Sequence, residues 1–224
     1  MAKPAPDRSL PFTIALGALI ASLRERLRLA RDLAPEVRAR FDGALSMMAP
    51  LAPSIAPRRA AAGDQALPVL ALWLPALAAA QVAAPDLAQP LASLGAALRW
   101  TQNPNYRRRP PAPDFLWRYA YAQFAGPPAA PTLVETDALA FGVLVLAPGT
   151  LYPAHSHPAE EIYLPLAPAR WKRGTEGWRE RPAGDLVHHP PHRLHATEAG
   201  RAPLLALYLW LGALGMPARI RAQP

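Results

Sequence analysis

All six histidines of this 224-residue chain fall between His155 and His195, and the first 154 residues contain none. Four potential metal ligands form a tight pattern, His155-x-His157-x3-Glu161, with His195 following 34 residues later. Neutral imidazoles and a carboxylate are ligands that proteins offer to divalent transition metals. The residue types and their spacing therefore predict metal chemistry in the C-terminal third of the chain.

The segments that carry these residues are predicted to be β-strands, in which residues two apart share a face. His155 and His157 therefore share one face, as do Glu161 and Tyr163 on the next strand. We expect both strands to direct these side chains into one barrel interior, to which His195 returns from a later strand. Three or four protein ligands with room for water or substrate are typical of a catalytic metal site.

Short apolar runs separated by turn residues follow Gly126, and they predict a small antiparallel barrel or jelly roll. The predicted strands span residues 139–146, 151–157, 161–166, 170–173, 178–181, 185–189 and 204–211. The chain before Gly126 predicts helices instead, including a short one after Asp114 that carries Phe115 and Phe124, and a Pro-, Arg- and Ala-rich connector over 53–64. We predict a mainly β protein in which residues 1–125 form a helical region packed on the barrel of residues 126–224.

Composition limits the classes of function. No cysteine is present, which excludes disulfides, thiolate metal sites and a cysteine nucleophile. The net charge of +8 is scattered, without a basic stripe interleaved with aromatic residues, so we expect no nucleic-acid partner. The apolar stretch 10–23 is too short and too close to charged residues to span a bilayer, so we expect a cytoplasmic protein with no membrane partner.

Two segments resemble the paired motifs of the cupin superfamily. The first matches the form Gly-x5-His-x-His-x3-Glu between Gly149 and Glu161. The second, Gly184-x5-Pro190-x-His192-x2-His195, departs from the pattern, because His192 stands where glycine is usual and Ala199 replaces the closing asparagine. Residues 147–165, APGTLYPAHSHPAEEIYLP, more specifically resemble the cupin-type dimethylsulfoniopropionate (DMSP) lyases.

Further segments extend this resemblance over a little more than the C-terminal half of the chain: Trp171, HHPPH at 188–192, HAT at 195–197, and WTQN at 100–103. The resemblance implies a cupin fold, a double-stranded β-helix or jelly-roll barrel. It also implies a carbon–sulfur lyase that cleaves DMSP, a small zwitterion, to dimethyl sulfide and acrylate. The implied reaction is tyrosine-assisted removal of the α-proton followed by β-elimination.

By the same resemblance, the metal ligands are His157, Glu161 and His195. Tyr163 is a further ligand or a close neighbour, and His155 occupies a position that can line or join the site. The cofactor is one divalent transition metal, for which two or three histidines with a carboxylate leave Zn, Fe, Mn, Ni and Co open.

Tyr152 and Tyr163 match the tyrosines proposed in this family as the catalytic base. Tyr163 shares the parity of Glu161 and is expected to face the metal, which favours it slightly. Tyr152 has the opposite parity to His155, so it needs a bulge or bend near Pro153 to point inward.

A sulfonium group also needs a cage that tolerates positive charge, and aromatic faces provide one. The candidates on predicted strands are Trp171, Trp178, Tyr208 and Trp210. We expect His188, His189 and His192 to surround the site rather than bind the metal, with His192 a candidate for substrate contact.

Other functions are compatible with the same ligands. The alternatives are another metal-dependent cupin enzyme such as an iron dioxygenase, a small-molecule-binding cupin without catalysis, and a relative that acts on a different small acid. The apolar faces of the N-terminal helices need cover from the barrel or a second subunit, which predicts a homodimer.

Overall fold

The computed structural model describes residues 10–48 and 67–221, so the connector predicted at 53–64 lies outside the described residues. The described ranges contain five α-helices: α1 Leu10–Leu29, α2 Pro35–Met48, α3 Trp73–Ala83, α4 Pro85–Leu94 and α5 Pro104–Arg108. Prolines begin α2, α4 and α5, where a first-turn residue needs no N–H donor. Short 3-10 segments precede α3, follow α4 and occupy Phe115–Trp117.

Helix α1 buries an apolar stripe that includes Leu16, Leu19, Leu23 and Leu27. This stripe has the period of an amphipathic helix, and it packs against α2 and α4. The last turns of α1 carry several charged residues, and none of the helices in the described ranges is a candidate membrane span.

Twelve strands occupy the rest of the described chain: β1 Trp100–Thr101, β2 Tyr119–Gly126, β3 Val134–Glu135, β4 Ala140–Leu146, β5 Leu151–Ser156, β6 Glu160–Pro165, β7 Ala169–Arg173, β8 Arg179–Arg181, β9 Val187–His189, β10 His195–Ala199, β11 Leu204–Leu211 and β12 Arg219–Ile220. They form two sheets. The larger has the order β1-β2-β4-β11-β6-β9 with β3 beside β2, and the smaller has the order β12-β5-β10-β7-β8. All pairs are antiparallel except β2 with β3.

The central strands of the larger sheet are buried on both faces. On β11, Leu205, Leu207 and Leu209 belong to the core shared with the helices, whereas Ala206 and Tyr208 belong to the core between the two sheets. A strand buried on both faces has no polar face to expose, which explains its continuous apolar sequence. The helices thus cover one side of the larger sheet, and the smaller sheet covers the other.

One predicted helix is wrong. The segment expected to be helical up to Phe124 forms only a 3-10 turn over Phe115–Trp117, followed by strand β2. Seven of the eight β2 residues are buried, so the polar alternation that marks a strand is missing. Strands β1 and β2 join the larger sheet, and the β-structure therefore begins upstream of the boundary predicted at residue 126.

Candidate metal centre

The candidate ligands converge between the two sheets. His155 lies near the end of β5, opposite His195 on β10, and both strands belong to the smaller sheet. His157 stands in the bend that crosses to β6, where Glu161 belongs to the larger sheet. The strands that carry His155 and Glu161 are therefore consecutive in the chain but are not hydrogen-bonded neighbours. The bend at Pro158 lets one short segment supply ligands from both sheets.

The three histidines of this cluster are buried, and they offer ring nitrogens that lie within 4.8 Å of one another. Each Nδ1 lies at hydrogen-bond distance from a backbone carbonyl two residues away. The pairs are His155 with Pro153 at 2.8 Å, His157 with Ala159 at 3.0 Å and His195 with Arg193 at 2.8 Å. Only an Nδ1–H can donate to a carbonyl, so in the neutral ring the lone pair is on Nε2. Metal-binding histidines commonly have this arrangement.

Glu161 completes the cluster. One of its oxygens, Oε2, lies 3.0 Å from Nε2 of His157 and 3.2 Å from Nε2 of His195. The His195 nitrogen has no hydrogen-bond partner among the described residues despite this proximity. A carboxylate oxygen and an imidazole lone pair both accept hydrogen bonds, so they need a cation between them, either a proton or a metal ion. Three nitrogens and one oxygen fit a divalent transition metal.

The electrostatics agree with this donor set. Burial alone would raise the pKa of Glu161, but its interactions with His157 and His195 outweigh burial and hold that pKa well below its usual value. Burial, and next the neighbouring His195, lower the pKa of His155 well below its usual value. A charged carboxylate and a neutral imidazole are the forms that bind a metal ion.

Tyr163 and His189 lie beside the cluster. The Tyr163 ring lies 4.9 Å from that of Trp171, and the His189 ring stacks on His195 at 4.0 Å. Burial, with a further contribution from Glu161, raises the pKa of Tyr163 well above its usual value. Both ring nitrogens of His189 are buried and have no partner in the described part of the chain.

Tyr152 is also buried and stacks on His155, with ring centroids 4.2 Å apart. Its hydroxyl lies 3.1 Å from that of Tyr106, which the helix α5 supplies. Burial, and next the neighbouring Tyr106 and Tyr119, raise the pKa of Tyr152 well above its usual value. Tyr152 therefore holds a protonated phenol at neutral pH unless a cation approaches it.

A cavity of about 140 Å³ is lined in part by Tyr152 and Trp210, whose rings stack on His155 and His157, whereas none of the four candidate ligands lines it. Its aromatic lining residues are Tyr119, Tyr121, Tyr152, Tyr208 and Trp210. The remaining lining side chains are amides, prolines and small or aliphatic residues, so the lining carries no formal charge at neutral pH. A cavity on the order of 150 Å³ accommodates benzene, which makes this one suitable for a small molecule.

Only some of the residues predicted to contact the substrate line the cavity. Tyr208 and Trp210 line it, as the parity of β11 indicated. Trp171 is buried behind Tyr163 and is not among the cavity-lining residues. Trp178 is half-buried, with the Arg170 guanidinium 5.3 Å from its ring. His192 is exposed in a left-handed turn with φ of 62°.

Three tyrosines that contact the cavity or Tyr152 were not predicted as site residues, although two of them lie in a segment, Tyr119-Ala120-Tyr121, that shares the family resemblance. The three are Tyr106, Tyr119 and Tyr121. Alternation of tyrosine with alanine at the start of β2 was a possible signal for two of them, because it directs both to one face.

Comparison with known proteins identifies the family. The DMSP_lyase family model, described as dimethylsulfoniopropionate lyase, matches residues 45–206. The dimethylsulfoniopropionate lyase DddQ of Ruegeria pomeroyi is 36% identical over 121 residues, which cover 54% of this chain and 58% of that protein. The putative lyase DddL of Cereibacter sphaeroides is 32% identical over 130 residues, which cover 55% of this chain and 50% of that protein.

The crystal structure of DddQ from Ruegeria pomeroyi superposes with a TM-score of 0.61 at 24% identity, over 93% of this chain and 97% of the other. This likeness extends through the N-terminal helices and supports the cupin fold that the motifs predicted. The alignments with the two curated relatives span only 58% and 50% of those proteins. Because the family model matches well over half of the sequence, the chain belongs to the dimethylsulfoniopropionate lyase family.

Proposed function

We propose that this protein is a metal-dependent lyase that cleaves DMSP to dimethyl sulfide and acrylate. The observation that carries the proposal is the convergence of three imidazole nitrogens, within 4.8 Å of one another, beside a small aromatic cavity. Membership of the lyase family and the names of the two relatives support the same substrate.

His157, Glu161 and His195 would hold the metal ion, with His155 able to join them and Tyr163 as a close neighbour. A bound divalent cation supplies Lewis acidity, which stabilises the charge that develops on the substrate carboxylate when the α-proton leaves. The donor set suits Zn, Fe, Mn, Ni and Co. The backbone carbonyls that accept from Nδ1 of each histidine fix the ring orientations before any ligand arrives.

Tyr152 is the better candidate for the base because it lines the cavity, whereas Tyr163 does not. As phenolate, the Tyr152 oxygen would take the α-proton, the electron pair would form the carbon–carbon double bond, and the carbon–sulfur bond would break. Dimethyl sulfide then leaves with the bonding electrons. Tyr106, at 3.1 Å, holds the Tyr152 hydroxyl at one end of the cavity. Tyr163, beside Glu161, would instead be a further metal ligand or a close neighbour of the metal ion.

The cavity suits the sulfonium end of the substrate. Aromatic faces attract a cation, and Tyr208 and Trp210 present theirs on one face of β11. The uncharged lining offers no carboxylate that would hold the sulfonium away from the base. The substrate carboxylate would lie toward the histidine cluster.

Headspace gas chromatography tests the proposal. Purified, metal-loaded protein is mixed with DMSP under anaerobic conditions, and dimethyl sulfide is measured. We expect release without oxygen, because the elimination uses none. Absence of dimethyl sulfide in this sample, together with oxygen consumption in a parallel aerobic sample, would instead favour a dioxygenase that uses the same ligands.

A further inference from the structure

We infer that Trp210 is a positioning residue for the metal ion, because its indole N–H holds one carboxylate oxygen of Glu161 and leaves the other facing the histidines. This inference deepens the proposed function and rests on the metal site within it. It does not depend on the identity of the substrate.

The geometry is specific. Trp210 lies directly opposite Glu161 on the neighbouring strand, and its Nε1 donates to Oε1 of Glu161 at 2.5 Å. The second oxygen, Oε2, is the one that lies 3.0 Å from His157 and 3.2 Å from His195. The indole bond therefore separates the two oxygens into one that is anchored and one that is free to bind a metal ion.

Trp210 also contacts a second candidate ligand. Its ring stacks on that of His157, with centroids 4.0 Å apart and an interplanar angle of 25°. The His157 ring is thus fixed by the stack as well as by the carbonyl of Ala159. One side chain thus contacts two candidate ligands, His157 and Glu161.

The same indole lines the cavity, which raises the question of whether it only fills space. A side chain that only lines the cavity needs an aromatic ring, but it does not need an N–H group directed at the buried carboxylate of Glu161. Glu161 is fully buried, so loss of this donor would leave a buried carboxylate oxygen without its hydrogen-bond partner. Hydrogen bonds from such neighbours to metal ligands typically change metal affinity by about 10- to 100-fold.

Trp171 provides a matched control within the same protein. It is a buried tryptophan between the same two sheets, but its Nε1 has no hydrogen-bond partner among the described residues. Replacing either tryptophan by phenylalanine removes an indole N–H and keeps an aromatic ring. Only the change at Trp210 removes a bond to a candidate ligand.

The test is titration of metal-free protein with Co²⁺, followed by calorimetry and by the visible absorption of the bound ion. We expect Trp210→Phe to bind Co²⁺ at least about tenfold more weakly than the unchanged protein and to show a shifted visible spectrum. Trp171→Phe should bind as the unchanged protein does. Circular dichroism checks folding, and Trp210→Met, which also lacks the donor, replaces Trp210→Phe if that variant does not fold.

A double-mutant cycle separates positioning from general packing. In a Glu161→Ala background, Trp210→Phe should weaken Co²⁺ binding less than it does alone, because the acceptor of the indole hydrogen bond is gone and only the stack on His157 remains. The inference would be overturned if Trp210→Phe alone lowered Co²⁺ affinity by less than about tenfold. It would also be overturned if Trp210→Phe lowered Co²⁺ affinity equally with and without Glu161. Failure of the unchanged protein to bind Co²⁺ would instead overturn the metal site of the proposed function, so the two failures are distinguishable.

Discussion

The rings of Tyr152 and His155 stack 4.2 Å apart, although three residues of separation would place them on opposite faces of a regular strand. The pairing with β10 explains this relationship. His195 and Thr197, two residues apart, lie opposite His155 and Tyr152. The extra residue in β5 is a bulge beside Pro153, and it turns the tyrosine toward the same interior as the candidate ligand His155.

The first prediction concerns this tyrosine. Tyr152→Phe keeps the ring that stacks on His155 and removes the oxygen that would accept the α-proton. We expect kcat to fall by at least about 100-fold, the typical contribution of a general base, with Co²⁺ affinity unchanged. Steady-state release of dimethyl sulfide and a metal titration check the two parts.

Tyr163→Phe is the comparison for that variant. This variant should also lose activity. Unlike Tyr152→Phe, it should bind Co²⁺ more weakly as well, because Tyr163 lies beside Glu161. Full turnover by Tyr152→Phe, with activity lost only in Tyr163→Phe, would move the base to Tyr163.

The second prediction concerns pH. Burial raises the pKa of Tyr152, and the base is its deprotonated form. The active fraction is therefore present above the pKa of Tyr152 in the metal-loaded protein and decreases as pH falls below it. We expect kcat/KM to rise with pH between about pH 6 and about pH 9, less steeply if the cation lowers that pKa. A rate that falls over this range in the unchanged protein would argue against a phenolate base.

The third prediction concerns the histidines. His195→Ala removes one of three convergent nitrogens and should weaken Co²⁺ binding by more than tenfold, measured by titration. His192→Asn is the matched control, because His192 is exposed and asparagine tolerates its left-handed backbone. Equal affinities for the two variants would remove His195 from the ligand set.

The fourth prediction concerns Gly142, which lies in β4 opposite the cavity-lining Tyr208. A Cβ at this position would overlap the backbone oxygen of Ala122 and lie 2.5 Å from the Tyr208 hydroxyl. Gly142→Ala should therefore lower the free energy of unfolding by about 1–3 kcal/mol, as overpacking does. Chemical denaturation measures this change.

Gly177→Ala is the control for that measurement, since no atom lies within 4 Å of the Cβ position at Gly177 and its φ is not positive. We expect its stability to stay within about 0.5 kcal/mol of the unchanged protein. If Gly142→Ala changes the free energy of unfolding as little as Gly177→Ala does, Tyr208 can move away at little cost. Its place in the cavity is then less fixed than the structure indicates.

The convergence of His155, His157 and Glu161 was predictable from the sequence because strand parity is a local property, whereas their role as metal ligands stays a prediction. His155, His157 and Glu161 lie within seven residues, and alternation alone assigns each to a face. The assignment of β5 and β6 to different sheets was not predictable in this way, because it depends on pairing with the distant β10 and β11.

The cavity was less predictable for a similar reason. Tyr106 comes from α5 and Tyr119 from β2. Because β2 is buried on both faces, it lacks the alternation of polar and apolar residues that identifies a strand in a sequence. Trp178 was placed on a strand, but β8 begins at Arg179, so strand parity does not set its direction. The expectations of a homodimer and of a cytoplasmic location stay predictions.

Metal dependence of the lyase activity is tested by headspace measurement of dimethyl sulfide from DMSP, with metal-free protein that is then titrated with Zn²⁺, Mn²⁺, Fe²⁺, Ni²⁺ or Co²⁺. We expect negligible release without metal, and release that increases until one equivalent of an effective ion has bound. Release by fully metal-free protein, or none with any bound ion, would contradict this expectation.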